Sequence, residues 1–114
     1  MFLVADNDGF KDLKYIGDNT LFPGDSVYVL SGELLKEPTR ISIQIGPDEH
    51  IEDEWGQYVN HSCDPSVKIV NNQLIAVKQI EKGDSITFDY NVSEDHMSNP
   101  FYCNCCNKLI KGKN

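Results

Sequence analysis

Apolar and polar positions alternate in short runs along this chain, each bounded by Gly, Pro or Asn, and that pattern predicts strands. Phe22-Pro23-Gly24-Asp25 is a turn that leads into Ser26-Val27-Tyr28-Val29-Leu30, and Ser31-Gly32 closes the run. Arg40-Ile41-Ser42-Ile43-Gln44-Ile45 predicts a half-buried strand with Ile41, Ile43 and Ile45 inward. Ser66 to Val70 and Leu74 to Lys78 flank Asn71-Asn72, the chemistry of a tight hairpin. Glu81-Lys82-Gly83-Asp84 is another turn, opening onto Ser85-Ile86-Thr87-Phe88. The segment from Leu21 to Val27 echoes that from Gln79 to Ile86, since each holds an apolar residue, a Gly-Asp turn and a strand. No window of about 11 residues carries a helical period. Residues 46–55 hold at most one helical turn, and Lys108 to Asn114, with three Lys, is expected to fray. The expected fold class is mainly β, in several small sheets.

Length and composition narrow the picture. A chain of 114 residues, 39% apolar and 25% charged, reads as one small soluble domain over 1–114. No apolar run reaches the roughly 18 residues of a membrane helix. Met1 to Ala5 is too short, and too soon followed by Asp6 and Asp8, for a secretory signal. The expectation is an intracellular protein, cytoplasmic or nuclear.

Ten Lys and Arg stand against eighteen Asp and Glu, a net charge of −8. Such a field repels phosphate backbones, which argues against direct nucleic-acid binding, and it suits a basic partner. Five of the seven residues from Asp48 to Glu54 are acidic, either a solvated loop or a docking rim for a Lys-rich peptide. Four cysteines in a chain with no export signal put a metal site or free thiols ahead of disulfides.

Three segments carry the chemistry. They are Asn60-His61-Ser62-Cys63-Asp64-Pro65, then Thr87-Phe88-Asp89-Tyr90-Asn91, then Pro100-Phe101-Tyr102-Cys103-Asn104-Cys105. In this order and at this spacing they resemble the signature of the SET-domain lysine methyltransferases and the cysteine segment that follows it. The resemblance is firm from Phe22 to Asn91, fair from Pro100 to Gly112 and poor before Phe22. It implies a core over about 20–92, a cysteine segment over 100–112, and a C-terminal segment threaded through a loop.

The resemblance also implies roles. Asn60 and His61 would contact S-adenosylmethionine, an Asn amide being able both to donate and to accept. Phe101 or Tyr102 would cover its adenine. Tyr90 matches the tyrosine that borders the methyl-transfer site and is the candidate catalytic residue. Phe88 stands where the family carries Phe or Tyr, and Phe implies di- or trimethylation. Tyr58 is a candidate wall of the lysine channel; Trp55 is another, unless it packs in the core. Cys63, Cys103, Cys105 and Cys106 match the four-thiolate stoichiometry of one zinc. Cys106 follows Cys105 directly, however, so sharing a metal would strain the pair, and reduced thiols remain the alternative.

The chain departs from the family at its start. The opening Gly-x-Gly, whose glycines let the backbone approach the cofactor, falls by counting at Leu13 and Tyr15. Gly17 is out of register and Gly9-Phe10 is a candidate displaced remnant, so either the loop is rebuilt or cofactor binding is weakened. The functional expectation is a methyltransferase acting on a lysine of a basic protein such as a histone. The alternative is a non-catalytic SET-like module that binds a peptide or partner.

Overall fold

Phe22–Asp25 and Glu81–Asp84 turn out to be the same turn built twice. In the first, Asp25 N–H donates to the Phe22 carbonyl (2.9 Å) and its carboxylate accepts from Phe22 N–H (2.8 Å). In the second, Asp84 N–H donates to the Glu81 carbonyl (2.9 Å) and its carboxylate accepts from Glu81 N–H (2.8 Å). Both need a glycine in the left-handed region, Gly24 at φ 97° and Gly83 at φ 95°. The two turns stand back to back, because Leu21 and Ile80 exchange both backbone hydrogen bonds, at 2.9 and 2.8 Å. The echo in the sequence is therefore a repeated structural unit.

The structure, a computed structural model, describes residues 2–7, 10–39, 41–93, 101–102, 109–110 and 112. Among them the strands are β1 Phe2–Asn7, β2 Phe10–Tyr15, β3 Ser26–Val29, β4 Gly32–Leu35, β5 Ser42–Gly46 and β6 Glu49–Asp53. A 3₁₀ turn over Gly56–Tyr58 precedes β7 Asn60–His61, β8 Val67–Val70, β9 Gln73–Ala76 and β10 Thr87–Phe88. One helical turn, α1 Tyr90–Ser93, precedes β11 Phe101–Tyr102 and β12 Leu109–Ile110. The sheets are small: β1-β2, β3-β9-β8, β4-β6-β5, β7-β10 and β11-β12. The fold is mainly β, as expected.

The β8–β9 hairpin turns at Asn71, at φ 54°, a conformation that Asn tolerates better than most residues. Val67, Leu74 and Ala76 point from it into the core, with Leu13, Leu30, Ile80 and Ile86. Gly17 is a packing glycine, since a Cβ there would meet the Tyr15 hydroxyl at 2.3 Å.

Four local expectations are corrected. Residues 46–55 are not a helical turn; β6 runs through them as the central strand of its sheet, paired on both edges. Nor is their acidic run a solvated loop or a rim throughout. The Asp53 side chain is buried, and its carboxylate accepts from Ser31, Trp55 and Gly56 N–H (2.7, 2.9 and 2.8 Å) and from the Tyr28 hydroxyl (3.0 Å). Desolvation by burial, then that bond to Asp53, pushes the Tyr28 phenol up to about 12.

In β5, Ile43 is buried as expected, but Ile41 is 40% exposed and Gln44 is buried. Ile41 lies in the turn before β5, and at Gln44 the register shifts against β6 before Gly46, which breaks the alternation of faces. The C-terminal segment, lastly, is not frayed where it is described: Ile110 in β12 is fully buried.

Candidate active site

Asn60 and His61 occupy β7, and Thr87 and Phe88 occupy β10; the two strands pair in parallel, Asn60 with Thr87 and His61 with Phe88. Parallel neighbours need a long crossover, and here residues 62–86 supply it. Ser66 locks the junction, its hydroxyl accepting from Thr87 N–H (2.9 Å) and donating to the Ser85 carbonyl (3.0 Å). Two segments far apart in sequence thus become one surface.

His61 is its hinge. The imidazole is 2% exposed, and its Nδ1 accepts from Tyr90 N–H at 3.1 Å. A backbone N–H can only donate, so the ring proton sits on Nε2, 3.4 Å from Cys63 Sγ. Burial lowers the His61 pKa, against the raising effect of the Asp89 carboxylate 3.6 Å away. The ring is therefore neutral at pH 7.

Aromatic rings gather around it. The centroids of His61 and Tyr90 are 5.2 Å apart, and those of Phe88 and Tyr90 are 4.6 Å apart. Phe101 meets both His61 (6.0 Å) and Tyr90 (6.1 Å) edge to face. The Tyr90 hydroxyl donates to the Val59 carbonyl at 2.8 Å. Its proton is committed there, so toward any ligand the oxygen presents lone pairs.

The structure therefore brings together Asn60, His61, Phe88, Tyr90 and Phe101. Tyr102 is 72% exposed, because consecutive strand residues face opposite ways. Tyr58 packs half-buried on the core, and Trp55 does so too, with its ring 6.2 Å from that of Phe2. Leu13 and Tyr15, where the Gly-x-Gly would fall, are core residues at 0% and 2% exposure. The strand that carries them reaches the site through Asn60, whose amide donates to the Lys11 carbonyl at 2.7 Å. Sequence reasoning missed that contact, the Val59 carbonyl and the Asp89 carboxylate; backbone acceptors carry no signal in side-chain identity.

The cysteines stand apart from the ring cluster in what the structure describes of them. Cys63 is disulfide-bonded rather than a free thiol or thiolate. Cys103, Cys105 and Cys106 lie outside the described residues. Among the described residues no cluster of His, Cys, Asp or Glu could hold a metal, and no helix is long and apolar enough to cross a membrane.

Five small sheets with a half-buried Asn-His segment laid beside a Phe-Asp-Tyr segment define a SET-type site. The SET domain profile matches residues 6–91, and the chain belongs to the SET-domain family. It is also similar to a Candida albicans protein named "Histone-lysine N-methyltransferase, H3 lysine-36 specific", 38% identical over 69 residues. The match covers 51% of this chain and 8% of the relative, so the chain spans only a small part of that protein's length.

Proposed function

We propose that this chain is a protein-lysine N-methyltransferase that moves the methyl group of S-adenosylmethionine to a lysine of a basic protein such as a histone. The observation that carries the proposal is the β7–β10 pairing, which sets Tyr90 against His61 and Phe88. The chemistry of the residues fits the cofactor. The Asn60 amide and the His61 backbone offer polar contacts, and Phe101, 39% exposed, offers a flat apolar face. When bound, S-adenosylmethionine supplies a methyl group on a sulfonium, open to in-line displacement by a neutral amine.

The chain's own task is then orientation and proton control. A lysine has a pKa near 10.4, so holding it neutral at pH 7 costs about 4–5 kcal/mol. Apolar walls lower that cost by disfavouring the ammonium form; Phe88 and Tyr58 are assigned to them. Tyr90 Oη, its own proton given to Val59, accepts from the amine N–H and aims the lone pair. With Phe rather than Tyr at position 88, no second hydroxyl fills the space a methylated amine needs, which favours di- and trimethylation. A net charge of −8 suits a basic substrate, and a histone substrate would place the protein in the nucleus. We assign one structural zinc to Cys63, Cys103, Cys105 and Cys106. Taking it up would require an external thiol to reduce the disulfide at Cys63, that thiol leaving as its own disulfide, and the cysteines to release their protons on binding the metal.

A second reading, a SET-like module that binds a partner without catalysis, draws support from Leu13 and Tyr15 in the core and from the Asn60 amide held by Lys11. Calorimetric titration with S-adenosylmethionine, followed by mass spectrometry of mixed histones incubated with both, separates the two. Cofactor binding and methylated lysine are expected. Binding without methylation of any basic substrate would favour the module.

A further inference from the structure

Asn91 follows Tyr90 directly, and its side chain does not face the ring cluster alone. Its Nδ2 donates to the Leu109 carbonyl at 3.4 Å, and its Oδ1 accepts from Gly112 N–H at 3.1 Å. A carboxamide carries a donor and an acceptor side by side, so it can act as one more rung of a ladder. Here it brackets residues 109–112. Gly112, whose N–H closes the bracket, itself adopts φ 97°, a conformation open to glycine. Between the two bonded positions lies Ile110, fully buried. Ile110 pairs with Phe101 across β11–β12, and Phe101 is the residue whose ring meets His61 and Tyr90.

We propose that Asn91 is a positioning residue that holds the β11–β12 hairpin in place and so sets the Phe101 wall of the cofactor site. It acts through Leu109 and Gly112 on the register of Ile110, and through Ile110 on Phe101. The inference deepens the methyltransferase reading and rests on it for the word cofactor; the clamp itself does not. It also gives the C-terminal segment an anchor that is independent of the cysteines. Since Asn91 itself is bonded to Asp89, its N–H donating to Oδ1 at 2.9 Å, the clamp is rooted in the same turn that carries Tyr90.

The test is peptide-resolved hydrogen exchange on the full chain without cofactor, comparing wild type, Asn91→Ala, Asn91→Asp and Gly112→Ala. Asn91→Ala is expected to speed exchange over residues 101–112 at least tenfold while the β3-β9-β8 sheet keeps its protection. Asn91→Asp keeps the acceptor for Gly112 but loses the donor to Leu109, and should fall between. Gly112→Ala, strained at its φ, should match Asn91→Ala. In parallel, S-adenosylmethionine should bind Asn91→Ala about tenfold more weakly, with turnover at saturating cofactor within about twofold of wild type, because the wall is lost and Tyr90 is not. Unchanged exchange over 101–112, or an equal rise across the whole chain, would overturn the clamp. So would release of the segment by chelator and reductant alone in the presence of an intact Asn91. If wild type binds no S-adenosylmethionine, the methyltransferase reading fails, while the exchange data still decide the clamp.

Discussion

Asp53→Asn probes the least expected polar contact in the molecule. Asp53 is buried, and each carboxylate oxygen accepts two bonds: Oδ1 from Trp55 and Gly56 N–H, Oδ2 from Ser31 N–H and the Tyr28 hydroxyl. An amide of the same shape has one acceptor oxygen and one NH2 group. Whichever way it is turned, two donors face an NH2 and lose their partner. A buried donor left unsatisfied costs about 1–3 kcal/mol. With Oδ1 retained toward Trp55 and Gly56, the losses fall on Ser31, which sits at an exposed position, and on Tyr28, whose hydroxyl can rotate. The low end of the range therefore applies to each, and the sum is about 2–3 kcal/mol. Asp53→Ala removes all four acceptances and should cost about 4 kcal/mol. Against a total stability of about 5–15 kcal/mol for a domain, either loss is large. Urea unfolding followed by the emission of Trp55, the single tryptophan, reads it directly. If Asp53→Asn were within about 0.5 kcal/mol of wild type, the range of an ordinary surface substitution, Asp53 would be one more solvated acid of the Asp48–Glu54 run and the bonding described would not matter.

Further outcomes follow from the same contacts. Tyr90→Phe keeps the ring against His61 and Phe88 but removes the oxygen that aims the amine, so turnover should fall about a hundredfold or more with cofactor affinity unchanged; single-turnover kinetics check it. Phe88→Tyr should remain active and shift products toward monomethyl-lysine in a mass-spectrometric assay. Gly17→Ala drives a Cβ into the Tyr15 ring and should cost about 1–3 kcal/mol in urea unfolding. At alkaline pH, Tyr28 is held neutral up to about 12 when folded, whereas an unfolded tyrosine ionises near 10. Its contribution is therefore fully present below about pH 10 and lost as pH rises toward about 12. Wild type should lose more stability across that window than Tyr28→Phe, measured by urea titrations at several pH values.

Features that depend on a few adjacent residues were legible in the chain itself. The Gly-Asp turns at Phe22–Asp25 and Glu81–Asp84 carry their own glycine and capping carboxylate, so their geometry follows from local chemistry. The Asn71-Asn72 hairpin does the same with a residue that tolerates positive φ. The family was legible through the Asn60–Pro65 and Thr87–Asn91 motifs, and the chain belongs to it.

Other features were decided only when distant segments met. Residues 49–53, Glu-His-Ile-Glu-Asp, carry little β propensity, and they form a strand because β4 and β5 pair with both edges. The burial of Gln44 goes with a register shift against a partner strand that the β5 sequence does not encode. Asn91 is only the last residue of the second motif in the sequence, yet its amide brackets Leu109 and Gly112, 18 and 21 residues away. His61 becomes neutral and one-sided in its hydrogen bonding through burial and through Tyr90 N–H, 29 residues on. Turn chemistry is short-ranged, and so the sequence by itself determined the turns, the β class and the family. Burial, strand register and backbone acceptors are properties of what each segment packs against, and for those the tertiary structure was the deciding term.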